Sequence, residues 1–116
     1  MTKLSTFFKR EEFECQCGCG FDTVDAELLD VLDTVRAHLN APVKINSACR
    51  CTAHNKSVGG SLTSQHTKGR AADIVVKGID PEIVYQFLND NYANKYGIGK
   101  YDTFTHYDIR KKKARW

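Results

Sequence analysis

Residues 64–76 read Ser-Gln-His-Thr-Lys-Gly-Arg-Ala-Ala-Asp-Ile-Val-Val. The last six residues, 71–76, are short, apolar and partly β-branched, a pattern that predicts a buried strand. The polar loop before this strand carries His66, and the strand itself carries Asp73. The stretch therefore predicts two potential metal ligands beside a core strand.

Regular elements are predicted on both sides of this strand. Apolar residues between Val24 and Asn40 recur at three- and four-residue steps, which is typical of an amphipathic helix. Helices and strands alternate irregularly, and the last two strands are close enough for a hairpin, which favours an α+β fold with a small antiparallel or mixed sheet flanked by helices. The other predicted elements are a strand at 43–46, a short helix at 51–58, a helix that starts at 80–81, and strands at 97–101 and 104–109.

The composition is that of one small domain. The chain has 116 residues, of which 41% are hydrophobic and 27% are charged. This length allows one modest core, so we expect a single domain over residues 1–116. No apolar run reaches the roughly 18 residues of a membrane span. The N-terminal segment turns acidic where a secretory signal would need an apolar stretch, so synthesis without a signal peptide is expected.

The positive charge is concentrated at the C-terminus. Five of the 17 Lys and Arg residues lie in residues 110–116, which contain no acid. Such a basic tail suits contact with an anionic polymer such as nucleic acid or a cell wall. A solvated, poorly ordered terminus is the alternative.

Five cysteines fall in two clusters along the chain. An odd number leaves at least one thiol unpaired, and synthesis without a signal peptide favours a reducing compartment. Cysteines separated by a single residue differ from the usual two-to-four-residue spacing of zinc sites. We therefore expect buried thiols within the scaffold, with a structural cysteine–zinc site as the alternative. The clusters are Cys15, Cys17 and Cys19, then Cys49 and Cys51.

His66 and Asp73, with His106 from the last predicted strand, form a set of two histidines and one carboxylate. Three protein ligands leave one zinc position open, as in catalytic sites, where the metal activates water and polarises a carbonyl. Each residue alone has a simpler explanation, because a histidine on a strand is more often a core or surface residue. The set is therefore a hypothesis of a catalytic metal site.

Five motifs in order resemble those of peptidase family M15, the D-alanyl-D-alanine carboxypeptidase-like zinc peptidases. Residues 64–73 resemble the family signature Ser-x-His-x-x-Gly-x-Ala-x-Asp. The resemblance runs from about Phe13 to Arg110 and is closest to compact phage and bacterial members. The other four motifs are Cys-Gly-Cys-Gly at 17–20, Ser-Ala-Cys-Arg at 47–50, the segment 54–60 ending in Val-Gly-Gly, and Gly-Ile-Gly at 97–99 with His-Tyr-Asp-Ile-Arg at 106–110.

The resemblance implies a fold like that of hedgehog domains and D-Ala-D-Ala peptidases, with one zinc ion bound by His66, Asp73 and His106. It implies that Arg50 contacts a carboxylate or carbonyl oxygen of the substrate and assists catalysis; a surface salt bridge is the alternative. Ser64 and Gln65 are candidate substrate-binding residues, although the Ser64 hydroxyl would also suit a loop cap.

The general base departs from the family pattern. Many members place Glu or Asp three residues before the last histidine, where this chain has Thr103. We expect Asp108 to have a catalytic role and Asp102 to be the second candidate base. Asp108 would alternatively hold His106 through a hydrogen bond.

We therefore expect a zinc metallopeptidase that hydrolyses an amide bond in the peptide stem or cross-link of bacterial peptidoglycan, as a carboxypeptidase or an endopeptidase. The alternative is a non-catalytic zinc-containing module that binds peptide or cell wall, as hedgehog domains bind partner proteins. Nucleic acid is not an expected partner, and a monomer is expected. The small size suggests a phage lysis or virion enzyme, made in the bacterial cytoplasm, whose basic tail holds it on the wall.

Overall fold

The computed structural model describes residues 5, 7–20, 24–60 and 64–116. Its strands form one five-stranded sheet in the order β1-β2-β4-β3-β5, antiparallel except that β5 runs parallel to β3. The α+β class and the mixed sheet are therefore confirmed. In chain order the elements are a 3-10 helix Arg10–Phe13, α1 (Ala26–Leu39), β1 (Val43–Ser47), α2 (Thr52–Ser57), a 3-10 helix Gln65–Lys68, β2 (Ala71–Val76), α3 (Pro81–Asn91), β3 (Gly97–Lys100), β4 (Thr105–Asp108) and β5 (Ala114–Arg115).

Both long helices begin at an aspartate cap. The side chain of Asp25 accepts a hydrogen bond from the backbone N–H of Glu27, and Asp80 caps the N–H of Glu82 in the same way. Each cap satisfies a backbone donor that the first helical turn leaves unpaired. Helix α1 ends at Asn40, which adopts the left-handed conformation that stops helices. No helix in the described part of the chain is long and apolar enough to cross a membrane.

The core lies between one face of the sheet and the two long helices. Leu28, Leu32 and Val35 of α1 are buried there with Val84 and Leu88 of α3. Full burial of each such side chain contributes about 1.5–3 kcal/mol to stability. The sheet contributes a second set of buried residues, which includes Ile74, Val76, Ile98 and Tyr107.

Strand β4 separates the core from the functional face. Side chains alternate along a strand, so Tyr107 faces the core while His106 and Asp108 share the opposite face. The hydroxyl of Tyr107 donates a hydrogen bond to the carbonyl of Leu28 in α1. In the register of the sheet, His106 pairs with Asp73 on one side and with Gly99 on the other. The centre of the sheet therefore positions two of the three expected metal ligands.

The alternative expectation of a poorly ordered C-terminal tail is wrong for the last three residues. Residues 114–116 are not a poorly ordered tail, because Ala114–Arg115 form β5 and the backbone N–H of Trp116 donates to the carbonyl of Ile98 at 3.1 Å. Arg115 further donates to the carbonyls of Tyr92, Lys95 and Tyr96. These contacts hold Arg115 against the fold, and Arg110 forms an ion pair with Asp108. Contact with an anionic polymer would therefore depend on residues 111–113, which are exposed lysines.

The expectation that the cysteines are buried thiols is only partly confirmed. Cys15 and Cys49 are buried as expected, but Cys17 and Cys19 are exposed. The reason is the surface turn that carries them, in which Gly18 and Gly20 adopt positive φ angles of 82° and 86°.

Candidate active site

His66, Asp73 and His106 converge at the centre of the sheet. His66 comes from the 3-10 helix before β2, Asp73 from β2 and His106 from β4. Oδ1 of Asp73 lies 2.8 Å from Nδ1 of His106, and Oδ2 lies 3.4 Å from Nε2 of His66. One potential ligand atom from each residue lies within 4.8 Å of the other two. The three residues that sequence reasoning selected are therefore brought together.

Both histidines are oriented by a second hydrogen bond on the far side of the ring. Nδ1 of His66 lies 2.6 Å from the carbonyl oxygen of Ala48, and because that oxygen can only accept, Nδ1 carries the proton. Nε2 of His106 lies 2.8 Å from Oδ2 of Asp108, which accepts a hydrogen bond in the same way. Such outer contacts fix the tautomer and ring orientation of histidines that bind metals.

Asp73 carries a negative charge at the point where the two rings meet. Burial alone would raise the pKa of Asp73, but its hydrogen bond with His106 and the nearby ring of His66 hold it well below its usual range. An ionised carboxylate and two imidazole nitrogens make a donor set typical of zinc.

The residues present fit a metal ion. Nε2 of His66 is buried and has no hydrogen-bond partner among residues 5, 7–20, 24–60 and 64–116. A buried polar atom without a partner is costly, and a metal ligated by this nitrogen would satisfy it.

Asp108 lies beneath the site and is fully buried. Nε and Nη2 of Arg110 each donate to it at 2.7 Å, in a two-point ion pair. Burial alone would raise the pKa of Asp108, but His106 and Arg110 lower it to about 2. Gly97 lies opposite Asp108 in the sheet, and a Cβ there would come within 2.6 Å of both carboxylate oxygens. The absence of a side chain at Gly97 therefore makes room for this ion pair.

An open cleft of about 310 Å³ lies above the three residues. Arg50, Ser64 and Gln65, the candidate substrate-binding residues, line it. Nε of Arg50 and Oε1 of Gln65 are buried without a hydrogen-bond partner in the described part of the chain. Burial lowers the pKa of Arg50, and the charges of Asp73 and Cys15 act in the opposite direction. Ser64 lines the cleft and also caps the backbone N–H of His66 at 3.2 Å, so the loop-cap alternative is present in the structure.

The opposite wall of the cleft was not predicted from the sequence. It contains Tyr101, Phe104 and Trp116, together with Arg110. The rings of Tyr101 and Phe104 stack with centroids 4.5 Å apart, and the indole N–H of Trp116 donates to the hydroxyl of Tyr101 at 2.9 Å. Trp116 is also 5.2 Å from His106, measured between ring centroids. The sequence feature that could have indicated this wall is the pair Gly97 and Gly99. The absence of side chains at these two positions leaves space for Arg110 and Trp116.

The two candidate bases do not line the cleft. Asp102 is exposed and lines two neighbouring cavities, one with Thr103 and Thr105 and another with Asp80 and Glu82. Asp108 is buried below His106. Among the described residues, Asp73 is the only carboxylate on the cleft lining.

Two oriented histidines and an ionised carboxylate at the floor of an open cleft are an arrangement typical of metallohydrolases. The family model of Peptidase M15 matches residues 6–108, which is most of the chain. The chain therefore belongs to peptidase family M15 and is a metallopeptidase, in a family whose members are typically zinc-dependent. A search of curated proteins finds no significant match.

Proposed function

We propose that the protein is a zinc-dependent peptidase that hydrolyses an amide bond in the peptide stem or cross-link of bacterial peptidoglycan. The observation that carries this proposal is a set of three buried polar atoms on one cleft: Nε2 of His66, Nε of Arg50 and Oε1 of Gln65. None of them has a hydrogen-bond partner among the described residues. Membership of family M15 supports the reaction, and the motif resemblance supports the peptidoglycan substrate.

The unpaired atoms match the groups of a peptide. Leaving a donor or acceptor buried and unpaired costs about 1–3 kcal/mol, and a ligand with complementary groups recovers that free energy on binding. Nε of Arg50 donates, so it complements a carboxylate or a carbonyl oxygen. Oε1 of Gln65 accepts, so it complements an amide N–H. A short peptide supplies both groups.

His66, Asp73 and His106 would hold the zinc ion, which supplies a Lewis acid for the scissile carbonyl and lowers the pKa of water. The protein contributes orientation, because the carbonyl of Ala48 and the carboxylate of Asp108 fix the two imidazole rings. Arg50 stabilises negative charge that develops on the attacked carbonyl oxygen.

Asp108 serves as a positioning residue in this proposal. Its oxygens already accept hydrogen bonds from His106 and Arg110, and it is not exposed to the cleft. Asp102 is the remaining candidate base from the sequence, and residues 101–104 would have to shift to bring it to the substrate.

A second candidate function is favoured by one observation, the lack of a carboxylate other than Asp73 on the described cleft lining. A site without a base would bind zinc and peptide without turnover. The same scaffold would then be a non-catalytic module that binds peptide or cell wall.

Mass spectrometry of the products from defined peptidoglycan stem peptides tests the proposal. We expect cleavage that stops on chelation, returns with zinc and is abolished in His66→Ala. The matched control is His38→Ala, because His38 lies on α1 away from the cleft. Zinc-dependent binding of the peptides without any product would instead support the non-catalytic module.

A further inference from the structure

Four cysteine side chains meet at a second place in the molecule, outside the cleft. The sulfurs of Cys15, Cys17, Cys19 and Cys51 all lie within 4.8 Å of one another. Cys15 and Cys17 are 3.5 Å apart between sulfurs, and Cys17 and Cys51 are 3.6 Å apart. Three of the four come from one surface turn, and Cys51 is the residue before α2.

The distances fit a shared metal ion and not covalent bonds. A disulfide joins sulfurs at about 2.05 Å, whereas these cysteines are all free. In a tetrahedral site with Zn–S distances of about 2.3 Å, the sulfurs are separated by about 3.8 Å. The observed separations lie near this value, so four ligand atoms already surround one point.

Backbone N–H groups point at the sulfurs. The N–H of Cys51 donates to Sγ of Cys15 at 3.4 Å, and the N–H of His54 donates to Sγ of Cys51 at 3.4 Å. Such hydrogen bonds stabilise negative charge on sulfur, as the outer contacts of a metal site do. Gly18 and Gly20 adopt the positive φ angles that let the turn direct its cysteines to one side.

We propose that Cys15, Cys17, Cys19 and Cys51 bind a structural zinc ion through four thiolates, separate from the site at His66, Asp73 and His106. Four protein ligands leave no open position, which is typical of a structural and not a catalytic metal. The single-residue spacing of the first three cysteines differs from the usual zinc motifs, and Cys51 completes the set only in the folded chain.

The position of the cluster gives the ion a structural role. The cluster joins the N-terminal segment 13–19 to the segment 46–51. Two hydrogen bonds also connect these segments: the side chain of Gln16 donates to the carbonyl of Asn46, and the backbone N–H of Cys49 donates to the carbonyl of Phe13. The segment 46–51 carries Arg50 of the cleft and the carbonyl of Ala48 that orients His66. A metal at the cluster would therefore hold both residues in place.

Metal analysis of the purified protein, with X-ray absorption at the zinc edge, tests the proposal. We expect two zinc ions per chain in the wild type. The double variant His66→Ala/His106→Ala should keep one ion, surrounded by sulfur at about 2.3 Å. The double variant Cys17→Ser/Cys19→Ser should keep one ion with nitrogen and oxygen ligands, and Cys49→Ala is the control that keeps both.

The proposal is overturned if the wild type shows no sulfur ligands, or if the histidine variant holds no metal while folded. Disulfides among the four cysteines in protein purified under reducing conditions would also overturn it. The X-ray absorption spectrum of the wild type is enough to show whether sulfur ligands are present. The test therefore does not depend on the cysteine variant being folded. The test is also independent of the proposed peptidase function. If the protein cleaved no peptide, the sulfur signal of the cysteine site would still be expected.

Discussion

Asp73 on β2 lies directly opposite His106 on β4, with Oδ1 of the carboxylate 2.8 Å from Nδ1 of the imidazole. This cross-strand pair depends on the register of the sheet, because a slip of one residue in either strand would turn that strand's ligand side chain to the core. The site is thus built into the centre of the sheet.

Replacement of Asp73 by Asn should remove the zinc ion of the cleft and abolish turnover. Asparagine keeps the shape of the side chain but lacks the negative charge that neutral histidines cannot supply. Metal analysis after dialysis should show one zinc ion fewer per chain than in the wild type. Asp90→Asn, an exposed change on α3, is the control with unchanged metal content. Full metal retention in Asp73→Asn would contradict the ligand assignment.

Asp108→Asn and Asp102→Asn should have different effects. Loss of an outer partner of a metal-binding histidine typically costs 10–100-fold in metal affinity or activity. We therefore expect Asp108→Asn to lower zinc affinity by about that factor. Asp102→Asn should leave zinc affinity unchanged and lower kcat if Asp102 is the base.

Zinc titration with a fluorescent chelator, and kcat at saturating zinc, separate the two effects. Thermal unfolding checks that each variant is folded, because Asp108→Asn also leaves Arg110 without its ion-pair partner. Wild-type turnover in both variants would show that neither aspartate serves the reaction.

The sequence predicted the elements around the site because each has a local signal. The apolar stripe of α1, the start of α3 at Asp80 and Pro81 and the apolar run of β2 all depend on neighbours within a few residues. The 3-10 helices were missed, since one turn has little periodicity. Strand β5 was missed because its two residues are set by pairing with β3 and not by their own pattern.

The order of the motifs was enough to select His66, Asp73 and His106, which the fold brings together, but the rest of the cleft could not be predicted. Trp116 meets Tyr101 and His106 only after the sheet has formed. In the same way, Cys51 joins the N-terminal cysteines across 36 residues from Cys15, a contact that no local spacing encodes. Long-range contacts of this kind depend on the whole fold.

Stability at alkaline pH should depend on Tyr96. Burial and the hydrogen bond from its hydroxyl to Glu27, at 2.5 Å, both raise the pKa of Tyr96 above its usual value. A pKa that is higher in the folded state stabilises the fold below the unfolded pKa of about 10, and this contribution is lost as the pH rises above it. The wild type should therefore lose stability above about pH 10 more steeply than Tyr96→Phe.

Urea unfolding of both proteins at about pH 8 and about pH 10.5 measures this effect. At the lower pH, Tyr96→Phe should be less stable by about 1 kcal/mol because it lacks the hydrogen bond. At the higher pH the difference should shrink. A difference that stays constant between the two pH values would contradict the role of Tyr96.

Two glycines of β3 should respond differently to alanine. A Cβ at Gly97 would lie 2.6 Å from both oxygens of Asp108 and from Nε of Arg110, which are held in a buried ion pair. We expect Gly97→Ala to destabilise the protein by about 1–3 kcal/mol, the usual cost of overpacking. A Cβ at Gly99 would instead lie 2.4 Å from the indole nitrogen of Trp116, which is 45% exposed and free to move outward.

Gly99→Ala should therefore leave the free energy of unfolding nearly unchanged but displace Trp116 from Tyr101 and His106. The chain has one tryptophan, so its fluorescence reports directly on the wall of the cleft. We expect a shifted emission spectrum and a raised KM in Gly99→Ala, and lower stability in Gly97→Ala, measured by urea unfolding. Equal destabilisation of the two variants, with unchanged emission in Gly99→Ala, would show that Trp116 does not pack against β3 as the structure has it.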